Sequence, residues 1–400
     1  MKRLSVLIFL MIILQTSCGQ TASNTQQSVE NYETFTTTET STDKRSTVSA
    51  SDRLKERKKL TQSISYSEQQ IKPDIGITEN DACAVCGFSD DYIFYSIQRP
   101  LDDDDDIISY YRYDRKTSKS ELIYSISNFY ILLKPRVCDN NLIICDFNGD
   151  EAGLYFVITI IGLDNNVKEL CREYSVYYPK ICVAGSRLIV TAYRSDEETV
   201  NDELFYYDLN TFNRKTAYTC SYKYVADQLV TGTEIMCVGG WDNGIVFECN
   251  TYDNEPRNQN KIGKKTLYYY DFDSGTVNEL PIERSHSDNY ISGNNDIVVT
   301  NIYSTGEPLP NTGSLHIKEN NIYTEYLIPG VEAAHDIWYS NLLDDGKIFL
   351  DTKDGYYVID AKNMLYTKEK LLDNVCASGT SVGFMRDGII YLRDYTNEST

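Results

Sequence analysis

A short turn followed by a β-rich run returns seven times between residue 90 and the C-terminus, and no other feature narrows the possible folds so far. The copies are Asp90-Asp91 before Tyr92 to Tyr95, Asn140-Asn141 before Leu142 to Ile144, and Gly185-Ser186 before Leu188 to Val190. They continue with Asp242-Asn243-Gly244 before Ile245 to Phe247, Asn294-Asn295 before Ile297 to Val299, Asp344-Asp345-Gly346 before Ile348 to Leu350, and Asp387-Gly388 before Ile389 to Tyr391. Turn residues that tolerate positive φ, set between β-branched and aromatic runs, read as hairpins. A second hairpin follows in most copies, its first strand ending in aromatics and an Asp: Tyr110 to Asp114, Leu204 to Asp208, Leu267 to Asp271, Tyr356 to Asp360. An Asp there caps the turn with its own side chain. Four antiparallel strands per unit of roughly 40–57 residues mark a β-propeller blade. The sequence therefore predicts an all-β fold, a single β-propeller over residues 61–400, with seven four-stranded blades and six or eight as alternatives. The last copy holds only two strands before Thr400, so closing the ring requires a strand from the N-terminal side. Ser63 to Ser67 is the expected one.

Composition agrees with a packed domain. Hydrophobic residues make up 41% of the 400, too many for a chain disordered throughout. A net charge of -21 argues against nucleic acid, whose phosphates require a positive footprint. Lys2 and Arg3 precede an apolar run from Leu4 to Leu14, an export signal too short to span a bilayer. Residues 20–51 contain 15 Ser or Thr, and a stretch of that composition does not repay its ordering entropy. The expected organisation is an export signal over 1–18, a Ser/Thr-rich disordered tether over 19–60, and the propeller after it.

Thr16-Ser17-Cys18 at the end of the signal resembles the lipobox of bacterial lipoproteins, although Gln15 stands where Leu is usual. The resemblance implies lipidation of Cys18 and an extracytoplasmic protein anchored to the bacterial cell membrane, touching the membrane only through that anchor; without lipidation the protein is secreted. The Tyr-x-Tyr-Asp repeats behind it resemble the TolB-like and YWTD-like propeller repeats of bacterial surface lipoproteins. That likeness covers roughly residues 61–400, is architectural, and implies a platform for binding or assembly.

The candidate ligand-binding residues are acidic and fall between the second and third strands of the early blades: Asp102, Asp103, Asp104, Asp105 and Asp106, then Asp150 and Glu151, then Asp196, Glu197 and Glu198. Asp202 and Glu203 extend the last group. Long loops on one rim of a rigid scaffold are where recognition usually sits. The five consecutive aspartates read as a cation site, as a contact for a basic partner, or as a solvated block. Asp146-x-Asn148-x-Asp150 opens like a calcium loop, but Glu151 replaces the required Gly and Val157 the bidentate Glu, so no metal is expected. No catalytic residue and no cofactor is assigned, since G-x-S-x-G, H-E-x-x-H and phosphate-loop patterns are all missing. Cys86, Cys138, Cys182 and Cys237 recur at matching points of successive units and read as small apolar side chains near a crowded axis. The expected function is a non-enzymatic binding or assembly module for an envelope protein or glycan. The alternative is a propeller-type hydrolase or lyase acting on carbohydrate, whose paired carboxylates would stand about 5–9.5 Å apart if it hydrolyses.

Overall fold

The computed structural model describes residues 60–62, 64–100, 106–127, 131–196, 198–225, 229–256, 264–282, 290–302, 312–328, 337–352, 355–370 and 375–395. The expected export signal, Cys18 and the chain up to residue 59 lie outside them, as do Asp102 to Asp105 and Glu197. The described residues form 30 strands in six hydrogen-bonded sheets. Sheet one runs through Ala82–Phe88, Tyr92–Pro100, Asp106–Asp114 and Lys119–Ser127. Sheet two starts as two short pieces, Ile131–Leu132 and Arg136–Cys138, and continues with Asn141–Asp150, Gly153–Ile161 and Val167–Tyr174. Sheet three has eight strands: Ile181–Ala184, Arg187–Asp196, Thr199–Asp208 and Arg214–Val225, then Leu229–Trp241, Gly244–Pro256, Lys264–Asp271 and Val277–Leu280. Sheet four covers Ile291–Gly293 to Ile322–Leu327, sheet five Ile337–Leu342 to Leu365–Glu369, and sheet six Cys376–Ser378 to Ile389–Asp394.

Every sheet is built on the same antiparallel meander; in sheet two both short inner pieces pair with Asn141–Asp150, and sheets five and six each gain one strand from the N-terminal side. The first strand of each meander lies innermost, and neighbours such as Ala82–Phe88 and Arg136–Cys138, or Leu229–Trp241 and Ile291–Gly293, pack against one another around a common axis. The fold is a single β-propeller. Apolar clusters sit between successive sheets, as period-2 alternation on both faces requires. One joins Ile143, Phe147 and Phe156 of sheet two to Leu188, Val190 and Phe205 of sheet three, and another lies between the two halves of sheet three, joining Ile189, Leu204 and Tyr206 to Ile245, Phe247 and Tyr270. The Asp capping also holds: Asp114 Oδ1 accepts from the Lys116 and Thr117 amides at 2.8 and 3.0 Å, and Asp208 and Asp271 repeat the arrangement.

Crowding at the axis explains one glycine in particular. A Cβ on Gly239, on an inner strand of sheet three, would stand 2.4 Å from the Ile291 carbonyl oxygen of the next inner strand. Gly232 is needed for two reasons at once. Its φ is +110°, and a Cβ would meet the Ser221 oxygen at 2.4 Å where the two halves of sheet three pair directly.

The N-terminal closure falls in a different place from the expected one. Ile64, Ser65 and Tyr66 are not in a strand; Ser67–Ile71 pairs antiparallel with Ile389–Asp394 as the outer strand of sheet six. Thr61–Gln62 adds in parallel to Leu365–Glu369 of sheet five. The physical reason is exposure. The outer strand is solvent-exposed over Ser67 to Gln70 and so carries no apolar alternation there, burying only its last residue, Ile71, whereas Ile64 packs into the core beside Val382 and Phe384.

Candidate binding site

Antiparallel meanders place the second-to-third turns and the linkers between sheets at one end of the strands, here called the linker face. The expected acidic loops of sheets two and three prove to be tight hairpins. Asp150 pairs with Gly153, and Asp196 with Thr199. Asp150 caps its own turn, accepting from the Ala152 and Gly153 amides at 2.8 and 3.2 Å and from the Tyr174 hydroxyl at 3.0 Å. These hydrogen bonds, the Ala152 amide first, hold its carboxyl below the ordinary range. Glu151, Asp196 and Glu198 are exposed at the tips. Asp106 begins a strand of sheet one, and nothing is described of its side chain. Asp202 and Glu203 are not loop residues, because only two residues separate Asp196 from Thr199. Both lie within a strand, Asp202 almost fully buried and accepting from the Ile235 amide at 2.8 Å.

Glu203 is the centre of an ion-pair network between sheets two and three. Arg194 approaches it at 2.6 Å and Arg214 at 2.9 Å, Thr216 donates to it at 2.8 Å, and Arg194 also pairs with Glu173. Burial alone would raise the carboxyl, but Arg214, Arg194 and Thr216 together bring it down to about 2. A carboxylate held below its ordinary value contributes stability that is present above the unfolded value and lost as pH falls through the folded one. Glu203→Gln should therefore cost about 2–3 kcal/mol at neutral pH, with the deficit shrinking below about pH 4.5 and vanishing near pH 2. Urea unfolding of both proteins across that range checks it; a deficit independent of pH would contradict the assignment.

The residues that sequence reasoning missed lie nearer the axis. Lys134 and Pro135 interrupt the inner edge of sheet two. Leu132 sits opposite Asp146 and Arg136 opposite Ile143, leaving Lys134-Pro135 as a bulge where proline has no amide for the ladder. Lys134 Nζ donates to Asp351 Oδ2 at 3.1 Å and to the Val375 carbonyl at 2.8 Å, reaching across from sheet two to sheets five and six. The Arg136 guanidinium lies 4.5 Å from the centre of the Tyr339 ring, and Lys134 Nζ lies 5.4 Å from the same ring. Burial pushes the Asp351 carboxyl up, with Lys134 and then Arg136 pulling against it. Burial likewise takes Tyr339 to about 12. Tyr290 donates its hydroxyl to Ser340 Oγ at 2.8 Å beside this group. Lys134 and Arg136 stand at the start of an inner strand, Asp351 at the end of a second strand and Val375 just before an inner strand, so all four belong to the linker-face end. Arg136, Lys180, Tyr290 and Tyr339, all at or near the starts of inner strands, keep partial exposure.

A signal for this site was present in the repeat. Two residues before the recurring cysteines stand Ala84, Arg136, Lys180 and Ile235. Two copies of an otherwise apolar position thus carry a cation. The cysteines themselves occupy inner strands, and the ten among the described residues are free thiols. Burial drives Cys86, Cys182 and Cys376 to about 12, which leaves them un-ionised and inert as nucleophiles. A second polar group lies in sheet three, where Lys265 Nζ meets Glu248 Oε1 at 3.2 Å and the Tyr252 hydroxyl donates to Glu234. Among the described residues no three His, Cys, Asp or Glu side chains converge as metal ligands.

No protein-family model and no curated protein matches the chain. Solved structures resemble it in shape at low identity. The β-propeller domain of the trilobed protease from Pyrococcus furiosus is 10% identical, with a TM-score of 0.47 over 80% of this chain and 92% of that one. An oligogalacturonate lyase in complex with manganese is 10% identical, with a TM-score of 0.47 over 85% and 98%. The α-L-arabinanase of Penicillium chrysogenum, in complex with arabinobiose, is 10% identical, with a TM-score of 0.41 over 66% and 92%.

Proposed function

We propose that the chain is a seven-bladed propeller acting outside the cytoplasm, tethered to the cell membrane through lipidated Cys18, and that it is a non-enzymatic binding module for an envelope protein or glycan. The seven-blade reading counts sheet three as two blades, since its two successive four-strand meanders repeat the pattern of the other sheets. The observation that carries the binding reading is the radial order of charge on the linker face. Cations, Lys134 and Arg136, stand toward the axis, and exposed carboxylates, Glu151, Asp196 and Glu198, stand at the hairpin tips. Such a pattern selects partners by electrostatic complementarity. Asp150 favours binding over general acid–base work, because its oxygens are engaged by its own turn and by Tyr174. Crosslinking followed by capture of the full-length protein from its native membranes tests this. One dominant partner is expected, and its recovery should fall sharply in a variant carrying Asp150→Asn, Glu151→Gln, Asp196→Asn and Glu198→Gln together. The first of these changes keeps an amide oxygen that still caps the turn. Recovery unchanged by those substitutions would remove the rim from the reading. Cys18→Ala should release the protein from membranes, and retention would count against the anchor.

A further inference from the structure

We infer that the linker-face end of the propeller holds a small organic monocarboxylate beside Lys134 and Arg136. The inference rests on the binding reading above and gives the axial part of that surface a ligand class. A cavity of about 240 Å³ opens between sheet one and the Lys134-Pro135 bulge, with Ala82, Ala84, Ile108 and Leu133 as apolar walls and Ser96 and Gln98 as polar ones. Small-molecule sites have this character: a mostly apolar hollow with a few convergent polar groups. The volume suits a ligand of about ten non-hydrogen atoms, at the small end of such pockets.

Lys134 links the cavity to the axis. It lines the hollow and also faces Tyr339 together with Arg136. Two of its three N–H groups go to Asp351 and the Val375 carbonyl, which leaves one for a ligand. Arg136 Nε is buried with no hydrogen-bond partner, and an orphaned donor on a charged group is costly unless something accepts from it. Asp351 is the single carboxylate described against these two cations, and ionised in its pair with Lys134 it leaves the group with an excess of one positive charge. An excess of one positive charge on half-buried cations is stabilised by one anion. That favours a monoanion over a phosphate dianion, which would overshoot and repel Asp351. Planarity points the same way, because a guanidinium edge and an ammonium together match the two oxygens of a carboxylate. The apolar walls then take the body of the acid, and Ser96 and Gln98 any hydroxyl it carries.

Calorimetric titration of the full-length protein at fixed ionic strength tests the inference with benzoate, galacturonate, benzamide and inorganic phosphate as probes. Saturable binding of benzoate or galacturonate is expected at millimolar concentration or below, with benzamide and phosphate at least about tenfold weaker. Lys134→Met and Arg136→Gln should each weaken the carboxylate by about tenfold or more. The circular dichroism of each variant serves as the control for folding. Lys116→Met, which removes an exposed cation from the turn between the third and fourth strands of sheet one, should leave carboxylate binding unchanged. The inference is overturned if neither carboxylate binds, if benzamide or phosphate binds equally well, or if both variants bind like the parent protein. A rim-dependent partner captured from membranes without any carboxylate binding would sink this inference alone. Carboxylate binding without a captured partner would sink the envelope reading alone.

Discussion

Deleting residues 60–73 should lower the melting temperature by about 10 °C or more, a shift equivalent to roughly 4–8 kcal/mol for a domain of this size. The deleted segment supplies two strands, one on sheet five and one on sheet six. Leu60 and Ile71 are both buried, Leu60 among Ile337, Ile348 and Tyr357, and Ile71 among Val85, Ile93 and Ile390. Each apolar side chain of this size contributes about 1.5–3 kcal/mol on burial. The segment also covers Arg393, which meets Glu68 at 2.8 Å and lies 4.6 Å from the Tyr66 ring. Without it the last sheet presents the edge of Ile389–Asp394 to solvent, with unpaired backbone groups and a tendency to pair with another chain. Thermal unfolding followed by circular dichroism reads the effect, with deletion of residues 19–51 as the control expected to change nothing. Equal melting temperatures for the two deletions would show that sheet six is stable as three strands.

Glu248→Leu is expected to destabilise the protein by about 3–5 kcal/mol, among the largest effects available to one substitution. The Glu248 side chain is 0% exposed and that of its partner Lys265 2%, so removing the carboxylate leaves an ammonium in a site from which water is excluded. Lys180 lies within electrostatic reach of the same carboxylate and would lose it too. The cost is that of a buried cation deprived of this carboxylate rather than the net worth of the pair, because desolvating both ions offsets most of their attraction. Glu248→Leu combined with Lys265→Met should therefore recover most of the loss, since two apolar side chains of similar volume replace two charges. Urea unfolding of the three proteins separates these possibilities. A double variant no more stable than Glu248→Leu would mean that packing around residue 248, not charge, sets the stability there.

The architecture was legible because it rests on periodicity. Turn residues at Asp90, Asn140, Gly185, Asp242, Asn294 and Asp344, each followed by β-branched runs, define the first hairpins through local geometry alone, and stacking those hairpins is the way to bury both faces of every sheet. Asp387-Gly388, expected as the seventh copy, instead joins the second and third strands of the last sheet, whose first turn is Gly379-Thr380. The Asp caps at positions 114, 208 and 271 are local in the same sense. What failed was of two kinds. The closing strand Ser67–Ile71 is polar because it is an edge, so no alternation marks it, while the alternating Ile64 and Tyr66 belong to core packing and to a ring contact with Tyr395. The acidic runs after Asp146 and Asp196 suggested long loops, yet most of those carboxylates lie on strands, since charge composition does not report how early a hairpin turns.

The central site was beyond local reasoning for a different reason. Lys134 and Asp351 are 217 positions apart, and Arg136 and Tyr339 are nearly as distant. Only closing the ring brings the start of one inner strand against the end of a second strand from the far side of the disc. By itself, the sequence determined the repeat, its strand count per unit, the capped turns and the small side chains near the axis, because each depends on neighbours within one hairpin. The tertiary structure alone decided which N-terminal residues complete the last sheet, which carboxylates remain at the rim, and which cations share the axis. Those outcomes depend on contacts between blades, where burial and charge are set by residues that the chain order keeps apart.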